Sequence, residues 1–135
     1  SKFSRIIYLI YYYRLNKLGL KLGWSIPLNV FGPGLCIVHR GSVVVNGNAK
    51  VGSNCKVHSC VNIGASGGNK EAPNIGDNVY IGPGAKLFGN IHIASNIAIG
   101  ANAVVNKSFS ENGITIAGIP AKIISYKGTE KLIKI

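Results

Sequence analysis

Ten aliphatic residues stand on a single six-residue ruler: Val45, Val51, Val57, Ile63, Ile75, Ile81, Leu87, Ile93, Ile99 and Val105, with one double step between Ile63 and Ile75. Gly52, Gly64, Gly76, Gly82 and Gly100 follow five of them directly. A second inward series runs two places earlier: Val43, Ala49, Cys55, Val61, Val79, Ala85, Ile91, Ile97 and Ala103. An α-helix repeats every 3.6 residues or so and a plain strand every second residue, so neither produces a strict six. The period is that of a parallel β-helix, in which three hexads close one triangular coil. The aliphatic fills the interior, the small residue fits the narrow prism beside it, and Gly takes tight backbone at the corner.

The 135 residues suffice for one domain. Net charge is +11, and the four acids are Glu71, Asp77, Glu111 and Glu130. Such a balance suits an anionic partner: nucleic acid, an anionic membrane surface or a phosphorylated cofactor. Nucleic acid is not expected, because Lys50, Lys56, Lys70 and Lys86 are dispersed along the repeat without stacking aromatics. Cys36, Cys55 and Cys60 are odd in number and form no C-x-x-C. Cys55 reads as a packed core thiol, and a reducing cytoplasm is the expected compartment. No signal peptide is visible. The apolar run Ile6–Tyr13, bounded by Arg5 and Arg14, is far shorter than the roughly 20 residues a membrane span needs. The chain opens on Ser1 rather than Met, which leaves room for residues upstream.

Residues 1–22 read as a helix, with Arg14, Lys17 and Lys21 on one face and Phe3, Ile7 and Ile10 on another. Two roles suit it: a cap over the open end of the coil stack, or a peripheral membrane helix, basic and rich in interfacial tyrosines. A transition follows, with Pro27 and the turn Gly32-Pro33-Gly34. Between Ile63 and Ile75 the ruler position is Asn69, within loop-like sequence (64–74). We expect a protruding loop there in place of one hexad. Residues 106–119 leave the ruler, and Ile123 and Ile124 are expected to cover the last coil, before a basic tail with Lys127, Lys131 and Lys134.

Over about residues 26–124 this pattern resembles the hexapeptide-repeat acyltransferases. The resemblance implies an all-β fold: a left-handed parallel β-helix of about four coils, with a short N-terminal helix and a C-terminal extension. The expected division is 1–25 helical cap, 26–124 acyltransferase β-helix and 125–135 basic tail. The stretch Gly34-Leu-Cys-Ile-Val-His39-Arg-Gly-Ser-Val-Val-Val45 resembles the catalytic segment of serine acetyltransferases and related capsular-polysaccharide acetyltransferases. On that resemblance His39 is the general base. The chemistry asks for one: a hydroxyl attacking a thioester must lose its proton, and a neutral imidazole can accept it at pH 7.

Serine acetyltransferases pair this histidine with an aspartate about one coil upstream. Ungapped alignment puts Trp24 or Ser25 there, and no acid precedes Glu71. A carbonyl, Asn29 or another subunit would have to tether His39. The substrate-binding histidine those enzymes carry before the hexad matching Asn74-Ile75-Gly76 is absent, since the loop ends Glu71-Ala72-Pro73. Their long helical domain also has no counterpart among these residues. His58, nineteen residues after His39, lies close to one eighteen-residue coil away, as a residue lining the acceptor cleft or as a plain exposed corner residue. His92 points outward and is given no role. Hexapeptide carbonic anhydrases bind zinc on this fold, but their closely spaced histidine pair is missing and no metal is expected.

In the family the cofactor lies in a groove between neighbouring subunits of a trimer. Val104-Val105-Asn106-Lys107 and Ala117-Gly-Ile-Pro-Ala-Lys122 match its closing motifs. The resemblance thus assigns acetyl-CoA to Pro83, Ala101, Asn106, Lys107 and Lys122, the lysines meeting phosphate. The expected function is acetyl-CoA-dependent O-acetylation of a sugar hydroxyl in surface-polysaccharide assembly by a homotrimer, with His58 and Asn29 at the acceptor. The rivals are a serine acetyltransferase-like enzyme and a non-catalytic β-helix scaffold.

Overall fold

The computed structural model describes residues 2–133, so Lys134 of the basic tail lies outside the described residues. Helix α1 (Lys2–Leu22) leads into short strands that visit three sheet faces in turn. The first face stacks β1 (Trp24–Ser25), β3 (Val43–Val45), β6 (Val61–Gly64), β9 (Lys86–Phe88) and β12 (Val104–Val105). The second holds β4 (Lys50–Val51), β7 (Asn74–Ile75) and β10 (His92–Ile93), extended by bridges from Phe31 to Val51 and Ile93 to Phe109. The third holds β2 (Cys36–Ile37), β5 (Lys56–Val57), β8 (Tyr80–Ile81), β11 (Ala98–Ile99) and β13 (Thr115–Gly118). Apart from β14 (Ala121–Ser125), which turns back antiparallel on β13, every pairing is parallel. This is a parallel β-helix.

All ten ruler residues are buried, none more than 5% exposed, and so is the whole second series. Each coil places one aliphatic per face into the prism, which is why the pattern repeats by six. None of the ruler glycines Gly52, Gly64, Gly76, Gly82 and Gly100 adopts a left-handed conformation. At Gly52, Gly76, Gly82 and Gly100 smallness serves the stacking instead: a Cβ on Gly82 would stand 2.8 Å from the Ala101 nitrogen on the next coil. Outside glycine, left-handed backbone is carried almost wholly by asparagines, which tolerate it better than other side chains, Cys60 being the exception among the described residues. Asn54, Asn78 and Asn96 sit at φ 56°, 54° and 60°. Their amides form a ladder along one corner, Asn54 donating to Asn78 at 3.0 Å and Asn78 to Asn96 at 3.1 Å.

Coil lengths depart from eighteen at identifiable corners. Ile63 pairs with Leu87 and Val51 with Ile75, both twenty-four residues on. The 64–73 loop therefore adds a hexad's length at the corner between the first and second faces. It does not replace a hexad as expected, because β7 still fills its face. Residues 106–119 leave the ruler but not the fold, since Phe109 bridges Ile93 and Ile116 pairs with Ile99 over shorter steps. Ile123 and Ile124 are exposed rather than covering the last coil, because β14 lies beside β13 as a hairpin strand.

Helix α1 docks at its C-terminal end, where Gly19 is buried against the Trp24 carbonyl. Phe3, Ile6, Tyr8, Leu9, Ile10, Tyr11, Tyr12 and Tyr13 are exposed. The two faces expected of it are the two ends of one stripe. Phe3, Ile7, Ile10, Arg14, Lys17 and Lys21 recur every three or four residues along an unbroken helix.

Candidate active site

The corner joining the third face to the first decides the site. Three residues make it in three successive coils: His58-Ser59-Cys60, Gly82-Pro83-Gly84 and Gly100-Ala101-Asn102. Each ends in a left-handed residue, Cys60 at φ 62°, Gly84 at 75° and Asn102 at 55°. The corner above His58 has five, Val38-His39-Arg40-Gly41-Ser42, so Ile37 pairs with Val57 twenty residues on while Val43 pairs with Val61 eighteen on. Two extra residues make this corner bulge, and His39 sits on the bulge, exposed. Gly41, at φ 135°, lets the bulge rejoin the stack, its α-carbon lying where a side chain would press on Ser59.

His58 lies beneath His39, with ring centroids 5.8 Å apart at 59°. The proximity expected from sequence is present, although the coil between them is longer than eighteen. Tyr80 follows on the next coil, its ring 5.0 Å from His58. His58 is thus half-buried between two rings rather than a plain exposed corner residue. Burial pushes its pKa below the ordinary value, and the neighbouring His39 and Lys56 charges push the same way. Lys56 stands on β5 two residues before His58, and its Nζ donates to the Leu132 carbonyl at 3.1 Å, so the C-terminal segment returns to this coil. Tyr80 escaped the sequence reading because its place over Lys56 depends on the inserted hexad.

Asn29 is not a tether for His39 within the chain. It turns the corner between the first and second faces at φ 62°, on a cleft lined with Lys50, Asn74 and Asp77, whereas His39 stands at the corner between third and first. Ten residues separate them, more than one face, so the prism sets them at different edges. Trp24 occupies β1 paired with Val43, and its Nε1 is buried without a hydrogen-bond partner. Asp77 is committed elsewhere, accepting from the Ser53 nitrogen at 2.7 Å. Cys55 is fully buried, and burial pushes its thiol up to about 12, which makes it inert packing. His92 is exposed, as expected.

The residues assigned to the cofactor divide between two edges. Pro83 and Ala101 are exposed on the corner column below His58. Their corners are stitched together, Gly82 N donating to the Ile99 carbonyl at 2.8 Å and Gly100 N to the Ile116 carbonyl at 2.8 Å. Ala117 continues the column and pairs with Lys122, which is exposed beside it. A smooth track of small residues thus runs from the histidines to a lysine, a fit to a slender chain ending in phosphate. Asn106 and Lys107 lie at the next corner, after β12 on the first face, with Lys107 Nζ 5.4 Å over the Phe109 ring. Lys107 and Lys122 thus follow different faces of the prism.

No protein-family model matches the chain. A serine acetyltransferase of Staphylococcus aureus (strain Mu50) is 41% identical over 99 residues, 72% of this chain and 46% of that protein. Serine acetyltransferase from Neisseria gonorrhoeae in complex with serine superposes with a TM-score of 0.74 at 33% identity, covering 87% of this chain and 48% of that one. The Brucella abortus strain S19 enzyme in complex with coenzyme A superposes with a TM-score of 0.66 at 37% identity, covering 73% and 40%. The chain spans about half the length of the curated relatives it matches.

Proposed function

From the homology of this hexapeptide-repeat chain to serine acetyltransferases, at 41% identity over 99 residues, we propose that it is an acetyl-CoA-dependent O-acetyltransferase with His39 as general base. The observation that carries this reading is the bulged corner, which holds His39 in solvent within 5.8 Å of His58 and at the head of the small-residue track. The left-handed sense of the coil rests on the same likeness.

Acetyl-CoA would supply the acetyl group as a thioester. The chain's own part is proton management. His39 takes the proton of the acceptor hydroxyl as its oxygen bonds to the acyl carbon, then returns it to the sulfur as the carbon–sulfur bond breaks. The lowered pKa of His58 keeps that neighbour neutral, so a protonated His39 does not face a second cation there. Small residues along the track let a pantetheine-like arm approach backbone, and Lys122 stands ready for phosphate. A homotrimer would close the groove, setting the edge of one subunit that bears Pro83 and Ala101 against the edge of its neighbour that bears Lys107.

The acceptor reading changes. A sugar hydroxyl was expected, but the relatives are serine acetyltransferases and a homologous enzyme is known with serine bound, so L-serine is the first acceptor proposed. One observation keeps a neutral acceptor as the second reading: Trp24 or Ser25 stands where the resemblance leads one to expect an acid, and no acid precedes Glu71 in the sequence. Thiol release from acetyl-CoA, measured with L-serine and with a panel of sugars, decides. Release with neither acceptor class would sink the transferase reading.

A further inference from the structure

Among the described residues nothing covers the N-terminal half of α1. Residues 6–13, Ile-Ile-Tyr-Leu-Ile-Tyr-Tyr-Tyr, are exposed all round the helix, with Tyr13 at 67% and Leu9 at 60%. The side facing away from the docked Gly19 carries Phe3, Ile7 and Ile10 at the far end, then Arg14, Lys17 and Lys21 nearer the β-helix. No acid occurs in α1 or anywhere before Glu71, and the chain carries a net charge of +11. A helix that is apolar all round is one that buries its whole circumference, whereas a one-sided contact needs only a stripe. An apolar circumference is satisfied by a medium that surrounds it, and the basic residues complement anionic headgroups. Eight residues rise about 12 Å, too little to cross a hydrocarbon core of about 30 Å, and Arg5 and Arg14 at the two ends of the run hold it along the boundary rather than through it. No helix among the described residues is long and apolar enough to cross a membrane. Tyrosine rings are at home at headgroup level.

We infer that α1 seats the protein on an anionic membrane surface, with Ile6–Tyr13 in the acyl–headgroup boundary and Arg14, Lys17 and Lys21 against lipid phosphates. The test is co-sedimentation of the full chain with vesicles of phosphatidylcholine alone or mixed with phosphatidylglycerol, at low and high salt. Strong binding to the mixed vesicles, weakened by salt, is expected. The double variant Ile7→Asp/Ile10→Asp should lose at least tenfold in partitioning, and Arg14→Glu/Lys17→Glu should lose the preference for anionic lipid. Because these side chains are exposed, both variants should keep the wild-type thermal transition, which is measured alongside. Wild-type protein that stays in the supernatant, or binds both vesicles equally, overturns the inference. So does Ile7→Asp/Ile10→Asp that partitions like wild type. If wild type ignores vesicles and the same variant lowers the sedimenting mass, a second copy covers α1 instead. Vesicle binding is read without substrate, so it stands or falls apart from the transferase reading.

Discussion

His39 and His58 occupy successive corners of unequal length, five residues against three, and their imidazole centroids stand 5.8 Å apart. The longer corner puts one imidazole in solvent, and the shorter holds the other half-buried against Tyr80. That inequality separates their roles. The exposed ring is free to exchange protons with a bound hydroxyl, and the sheltered ring stays neutral beside it.

His39→Ala should lower kcat by about 10² to 10⁴, the usual worth of a general base, with little change in the KM for acetyl-CoA. His58→Ala should act mainly on the acceptor KM. Steady-state thiol release with both substrates varied separates the two. Near-wild-type kcat in His39→Ala would move the base elsewhere, with His58 the first candidate.

The lowered pKa of His58 has a stability signature. Between its ordinary value near 6.5 and its folded value, the unfolded chain binds a proton that the folded chain refuses. Its contribution is therefore complete above about pH 6.5 and is lost progressively as pH falls from there through the lower, folded value. His58→Asn should flatten the wild-type decline in urea midpoint between pH 7.5 and pH 5. Tyr80→Ala should hydrate the ring and raise the His58 pKa in an NMR titration, because burial is the largest cause of the shift. An unchanged titration in Tyr80→Ala would mean that Tyr80 does not shelter the imidazole.

The core was legible because the prism imposes one inward aliphatic per face, so Val57, Ile81 and Ile99 betray the coil whatever surrounds them. What depends on corner length was not. Tyr80 stacks over Lys56 only because the 64–73 loop lengthens the coil, and His39 stands out in solvent because its corner has five residues where the next has three. The exposure of α1 was equally hidden, since the docking of Gly19 beside Trp24 is a tertiary contact with no period.

Gly82→Ala should destabilise the fold by about 1–3 kcal/mol, because the new methyl would meet the Ala101 nitrogen and the Ile99 carbonyl, backbone that cannot yield without opening the coil stack. Gly47 is the matched control. A Cβ there would stand 3.8 Å from Pro27 Cγ, an ordinary contact, and Gly47→Ala should cost under about 0.5 kcal/mol. Urea denaturation of both variants is the measurement. Equal costs would show that the ruler glycines are not there for coil stacking.

Lys107 and Lys122 stand at different edges of the prism, and this yields the sharpest check on assembly. If both meet the same acetyl-CoA, they must come from neighbouring subunits. Lys107→Ala and Lys122→Ala should each raise the KM for acetyl-CoA, and the rise should vanish with a cofactor lacking the 3′-phosphate for whichever lysine contacts that group. Mixing is the decisive step. When the two variant chains assemble together at random in a closed ring, about a quarter of the clefts receive Lys107 from one chain and Lys122 from its neighbour, both intact. Those clefts should restore a low-KM phase to the saturation curve. Variants that each raise KM but never complement one another would place the two lysines on one subunit's groove, against the edges described above. Complementation is impossible for a monomer, so the same experiment tests whether the groove is shared between subunits.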